Sequence, residues 1–208
     1  MVRMGKKHTI CVRLHRRGFT LIELLVVIAI IGLLSSIIMA SLSDARIKAD
    51  NAARNAQVVE YVKALNFAYD PSHPGGYPGN TPGAQYCLSH YPTSQYPDNN
   101  NNCLIPDGGP FSENPSGDSS VINAIQMYLP SRPPLKPVLD SHRNVFDGPI
   151  YAYQKDSPAI NFVFWYLQGK VLPGGNTDMS GVQCALGASQ GGAGSFYPGV
   201  IKCRLQLQ

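Results

Sequence analysis

Apolar and polar positions are sorted along this chain into blocks. Residues 19–42, FTLIELLVVIAIIGLLSSIIMASL, form an almost wholly apolar run that carries one charge, Glu23. As a helix rising 1.5 Å per residue this run spans about 36 Å, enough to cross a hydrocarbon core of roughly 30 Å. From Ser43 to Tyr69 there is no Pro and no Gly, and the pattern changes. Ile47, Val58, Tyr61, Val62, Leu65, Ala68 and Tyr69 recur at spacings of three and four, which predicts an amphipathic helix. Asp44, Arg46, Lys48, Asp50, Arg54, Glu60 and Lys63 are expected on its solvated face. Asp70-Pro71 and then Gly75-Gly76 end it. A single helix from Phe19 to about Tyr69 would be roughly 75 Å long, apolar all round in one half and amphipathic in the other.

Beyond it the periodicity is lost. Pro71 to Pro115 is nearly all turn chemistry, with Pro-Gly, Pro-Asp and a run of four Asn at 99–102. Val121–Leu129 reads as a short helix closed by Pro130. β-Branched and aromatic residues predict strands at Ile150–Gln154, Ala159–Leu167 and near Gly199–Leu205. The expected fold class is α+β, a long N-terminal helix whose amphipathic half packs on a small antiparallel sheet. The expected division is a basic leader 1–18, a transmembrane half-helix 19–42, an amphipathic half 43–70, and a globular region 71–208. The globular region splits into a loop region 71–120 and a sheet region 121–208.

Charge sharpens this picture. Residues 1–18 hold Arg3, Lys6, Lys7, Arg13, Arg16 and Arg17 and no acid. The remaining chain has 11 basic and 13 acidic residues, so its net charge is −2, and nucleic acid is not among the partners the charge points to. The positive-inside rule puts the leader in the cytoplasm and everything after Leu42 outside. The apolar run is longer than the core of an ordinary secretory signal and contains an acid, so cleavage after it is not expected. Cys11 precedes the run. Cys87, Cys103, Cys184 and Cys203 lie in the exported part, where oxidation is favoured. Four cysteines allow three pairings; the spacing favours two local loops, Cys87–Cys103 and Cys184–Cys203.

Arg16-Arg17-Gly18-Phe19-Thr20-Leu21-Ile22-Glu23, continued by the apolar helix, resembles the class III signal of type IV pilins and of the pseudopilins of type II secretion and DNA-uptake systems. The resemblance implies that a prepilin peptidase cuts between Gly18 and Phe19 and methylates the new Phe19 amine. It implies too that Glu23 pairs with the Phe19 amine of a neighbouring subunit during assembly into a helical filament. Gly18 suits a tight protease site, and Arg16 and Arg17 hold the scissile bond at the cytoplasmic face. A carboxylate within a spanning helix is costly and marks function; the plainer reading puts Glu23 in the headgroup zone. Where many pilins carry a proline this chain has Ala40, and Gly32 with Ser35-Ser36 are the positions where its helix is expected to loosen. Looser likenesses to pseudopilins follow the helix, at Tyr77-Pro78 and from Tyr128-Leu129-Pro130 through Leu167.

Other chemistry finds little support. Gly187-Ala188-Ser189-Gln190-Gly191 matches G-x-S-x-G, but no His follows it and its flanks are Gly-rich. The five His are scattered. Asp98 with Asn99–Asn102, or Asn176 with Asp178, offer oxygen ligands of the kind a related pseudopilin loop gives calcium, but neither matches an EF-hand spacing and polar turns are the commoner reading. The aromatic run Phe162–Tyr166 reads as sheet core. No catalysis, cofactor or metal is expected. The function this predicts is a filament subunit of type IV pilus or type II pseudopilus kind. Its partners are further copies, the prepilin peptidase, an inner-membrane assembly platform, and membrane lipid before assembly. The alternative is a minor pilin or competence-type pseudopilin whose exposed domain binds DNA or a surface ligand, with Lys202 and Arg204 as its local basic patch.

Overall fold

The structure is a computed structural model. It describes residues 18–97, 99, 102–104, 111–112, 115–139, 145–153, 161–169, 177, 179–188 and 196–207. The chain divides into two compact units, 1–44 and 45–208.

In the first unit, helix α1 (Leu21–Phe67) begins. Between Leu21 and Leu42 its large apolar side chains are 44–82% exposed, and its most apolar 18-residue window has a mean hydropathy of 2.8. A helix that is apolar all round belongs in lipid or among other helices, because water around such a surface is unfavourable.

In the second unit, the rest of α1 buries one stripe: Val58, Tyr61, Val62, Ala64 and Leu65. The stripe meets the inner face of a five-stranded sheet made of β1 (Gln85–Cys87), β6 (Ile150–Ala152), β7 (Phe162–Gln168), β9 (Phe196–Gln206) and β8 (Val182–Ala188), in that spatial order. All four neighbouring pairs are antiparallel. Side chains alternate between faces along a strand, so Val163, Trp165 and Leu167 of β7 join Ile201 and Cys203 against the helix. Trp165 Nε1 also donates to Asn55 Oδ1 at 3.0 Å.

The outer face is covered as well. Phe164 and Tyr166 of β7, with Ile150, Ala152 and Val200, pack against Cys87, Tyr91, Cys103, Val138 and Phe146. The covering segment carries two small hairpins, β2 (Asn102–Cys103) with β3 (Phe111–Ser112) and β4 (Val138–Leu139) with β5 (Val145–Phe146). The stretch that reads as turns therefore supplies both an edge strand and the lid of a second core. Cys87 is bonded to Cys103, which ties this lid to β1, and Cys184 is bonded to Cys203, its register partner on the neighbouring strand. Helix α2 (Ser120–Gln126) buries Val121, Ile122 and Ile125.

Two readings of the helix are corrected here. Arg54, placed on the solvated face by its charge, is 2% exposed, whereas Tyr69, placed in the apolar stripe, is 48% exposed. Arg54 is buried because backbone carbonyls meet it: Nε donates to Lys136 O at 2.9 Å and Nη2 to Pro137 O at 3.3 Å. Tyr69 lies past the last helical residue, where the stripe no longer governs orientation.

Two carboxylates in the head are pulled in opposite directions. Burial pushes Asp118 up, but hydrogen bonds from Ser120 and Tyr86 outweigh it and hold the carboxyl well below its usual range. Asp118 Oδ2 also accepts from Asn80 N at 2.9 Å and Thr81 N at 3.1 Å, joining that turn to the start of α2. Asp147 is 2% exposed and its Oδ1 has no hydrogen-bond partner among the described residues. Burial pushes it up to about 6, against hydrogen bonds from Asn99 and Leu104. Its folded pKa is raised, so its contribution to stability is full below its ordinary 3.8 and is lost as pH rises through about 6. The interval corresponds to about 3 kcal/mol. Asp147→Asn is therefore expected to be more stable than the wild type at pH 7.5 and to flatten the change between pH 4 and 6. Urea unfolding of the full chain in detergent measures this; parallel curves for the two proteins across that interval would remove Asp147 as the cause.

Candidate functional site

The features that carry the signal meet at the start of α1. Gly18, Phe19 and Thr20 precede the first helical residue, Leu21. Phe19 is 75% exposed, and a Cβ built on Gly18 would meet nothing within 4 Å. The Gly18–Phe19 peptide thus lies in open, non-helical chain. Arg16 and Arg17 lie outside the described residues.

Thr20 and Glu23 close the helix start reciprocally. The Thr20 backbone N–H donates to Glu23 Oε2 at 2.9 Å, and the Thr20 hydroxyl donates to the same oxygen at 2.7 Å. In return the Glu23 backbone N–H donates to Thr20 Oγ1 at 3.3 Å. This is a capping box, in which two donors that a helix start leaves unpaired are each given an acceptor. The negative carboxylate also sits in the first turn, where the helix dipole favours it. Glu23 Oε2 is thereby engaged within the chain, while Oε1 accepts no hydrogen bond among the described residues. One oxygen orients the carboxylate and the other is available to a cation. Thr20 was not among the candidates drawn from the sequence, although the spacing Thr20-x-x-Glu23 ahead of an apolar run is itself the signature of this cap.

Further along, the helix stays continuous through Gly32, Ser35 and Ser36, with the Ser36 hydroxyl donating to Leu33 O at 2.8 Å. The four head cysteines lie far from this region in sequence and form the two bonds described above.

Several of the other candidates drawn from the sequence fall outside the described residues. Ser189 of the G-x-S-x-G match lies outside them, as do Asp98, Asn100, Asn101, Asn176 and Asp178. Among the described residues no three His, Cys, Asp or Glu side chains gather as metal ligands. Phe162–Tyr166 is sheet core: Val163, Phe164, Trp165 and Tyr166 are buried.

Comparison with known proteins agrees with the start of the chain. The prokaryotic N-terminal methylation motif matches residues 13–39, which covers Arg13, Arg16 and Arg17, Gly18-Phe19, the capping box and the apolar run through Met39. No curated protein and no solved structure matches the chain. The signal and the apolar helix together indicate membrane anchoring, and processing followed by filament assembly is what this signal implies in general. Residues 13–39 are thus the type IV pilin and pseudopilin signal, carried here at the head of a pilin-like α+β chain.

Proposed function

We propose that this chain is the precursor of a structural filament subunit, of type IV pilus or type II pseudopilus kind, with no catalytic role. The observation that carries the reading is the conjunction at the helix start: an open Gly18–Phe19 peptide, and four residues on a carboxylate held at the head of an unburied apolar helix. In the membrane the basic leader stays on the cytoplasmic side and the head lies outside, since basic residues are retained inside. The peptidase removes residues 1–18 and methylates the Phe19 amine. The freed cation of one copy then meets Glu23 of the next. An isolated carboxylate in hydrocarbon is unfavourable, so this pairing draws subunits from lipid into the polymer. The apolar surface of residues 19–42 is covered by lipid before assembly and by neighbouring helices afterwards. The assembly platform of the inner membrane supplies the site of transfer, and residues 71–208 become the exposed head.

The N-terminus of the mature protein tests the reading directly. Mass spectrometry of material from the native cell is expected to show a chain beginning with N-methylated Phe19. A chain retaining residues 1–18, or one cut near Ala40–Ser43, would overturn it.

A further inference from the structure

Lys202 and Arg204 form a pair of cations on the outer face of the sheet that the filament reading leaves unused. They lie two residues apart on β9, so both side chains leave the same face. Lys202 stands in register with Tyr166 on one side and Ala185 on the other, and Arg204 with Phe164 and Gln183. The Lys202 amine sits 4.1 Å from the centroid of the Phe164 ring. It is half-buried, and burial followed by the charge of Arg204 pushes it down to about 8. The Arg204 guanidinium is held by one acceptor: Nε and Nη2 donate to Gln183 Oε1 at 3.2 and 2.9 Å. Its Nη1 makes no hydrogen bond among the described residues. Neither cation has a carboxylate partner among them; Asp50 goes to Lys136 and Glu60 to Lys63. Two like charges held together, one of them partly out of water, are unfavourable until an anion joins them.

We propose that Lys202 and Arg204 form a binding site for phosphate oxygens on the outer face of β9. Two adjacent positive charges match a dianion, or successive phosphodiesters, better than a single carboxylate. The ammonium acts as a point charge, while the guanidinium offers directed N–H donors with its orientation already set by Gln183. Ala185 on β8, in register with Lys202, adds only a methyl group on that side. The half-buried Phe162 ring, 5.9 Å from Phe164, borders the cations on β7 and offers a stacking surface of the kind single-stranded nucleic acids use. The source of the phosphate is therefore either the free ion or a nucleic-acid backbone, and the site stands whether or not the chain polymerises.

The test uses the full chain in detergent with two probes, inorganic phosphate followed by calorimetry and a fluorescent oligo-dT followed by anisotropy. Binding of at least one probe is expected, weakening as salt rises. Lys202→Gln and Arg204→Gln are each expected to weaken it about tenfold, the loss of one charge-assisted contact. Lys202→Arg should retain most of it, and Lys48→Gln, an exposed helix lysine outside the site, should change nothing. Wild-type Trp165 fluorescence in each variant shows that the head remains folded. Phosphate binding without oligo-dT binding assigns a free-ion site, and oligo-dT binding assigns a phosphodiester site; both support the proposal. Failure of both probes, binding undiminished in the double Gln variant, or polyglutamate binding as tightly as oligo-dT would overturn it.

Discussion

Glu23→Gln is expected to abolish filaments while leaving a processed, membrane-inserted subunit. The substitution is informative because glutamine serves as well as glutamate at this place in a capping box. The Thr20 donors would still find an acceptor oxygen, so the helix start keeps its form and only the charge is lost. Without the charge, the cost of an ion in hydrocarbon, about 2.5–3.5 kcal/mol on insertion scales, no longer drives subunits together. A change of that size corresponds to about a hundredfold in association per subunit, enough to empty a polymer whose every contact repeats it. Thr20→Val is the complementary change: it removes the hydroxyl and keeps the carboxylate, and it is expected to leave assembly largely intact. Electron microscopy and the fraction of subunit recovered by shearing measure both. Filaments in Glu23→Gln together with none in Thr20→Val would assign the role of this carboxylate to the cap instead of to a pair between copies.

The long helix was legible because its two halves obey two different patterns, each sustained over several turns. The sheet was legible only in part, and the reason is physical. Phe162–Leu167 has no alternation, as befits a strand buried on both faces, and its β-branched and aromatic content identifies it. β8 carries Gln, Gly and three small residues between Gly-rich flanks, so nothing local marks it; six register pairs to β9 and a bond between Cys184 and Cys203 hold it. β1 has three residues inside Pro- and Gly-rich sequence and exists through its register with β6. In both cases tertiary pairing overrides weak intrinsic preference. At the helix start, the acid was visible as an anomaly in an apolar run, whereas its local partner Thr20 needed the capping spacing to be noticed. Arg54 shows the opposite failure. A charged residue at a polar position of the helix pattern says nothing of the carbonyls that a distant segment brings to it.

That residue carries the second large effect. Arg54→Leu is expected to destabilise the head by about 2–6 kcal/mol, the cost of leaving two buried carbonyls without donors. The guanidinium satisfies Lys136 O and Pro137 O and donates from Nη1 to Asn51 Oδ1 at 3.0 Å. Asn51 in turn grips the end of β7: its Nδ2 donates to Gln168 O at 2.7 Å, and Gln168 N donates to its Oδ1 at 3.0 Å. One turn of α1 thereby fastens two separate segments of the head, 136–137 and the end of β7. Burial lowers the Arg54 pKa, with the charge of Asp50 opposing it, and the group remains a cation at any pH the protein meets. Leucine fills much of the space but leaves two buried carbonyls without donors, each costing about 1–3 kcal/mol. Arg54→Lys keeps the charge yet lacks the fork that reaches several acceptors at once, so an intermediate loss is expected. Asn51→Ala combined with Arg54→Leu should cost less than the two separately, because both act through one hydrogen-bonded unit. Urea unfolding of the four proteins provides the cycle. A loss below about 1 kcal/mol for Arg54→Leu, the size of an ordinary surface change, would mean that these carbonyls find other donors and that Arg54 is not what fastens residues 136–137 to the helix.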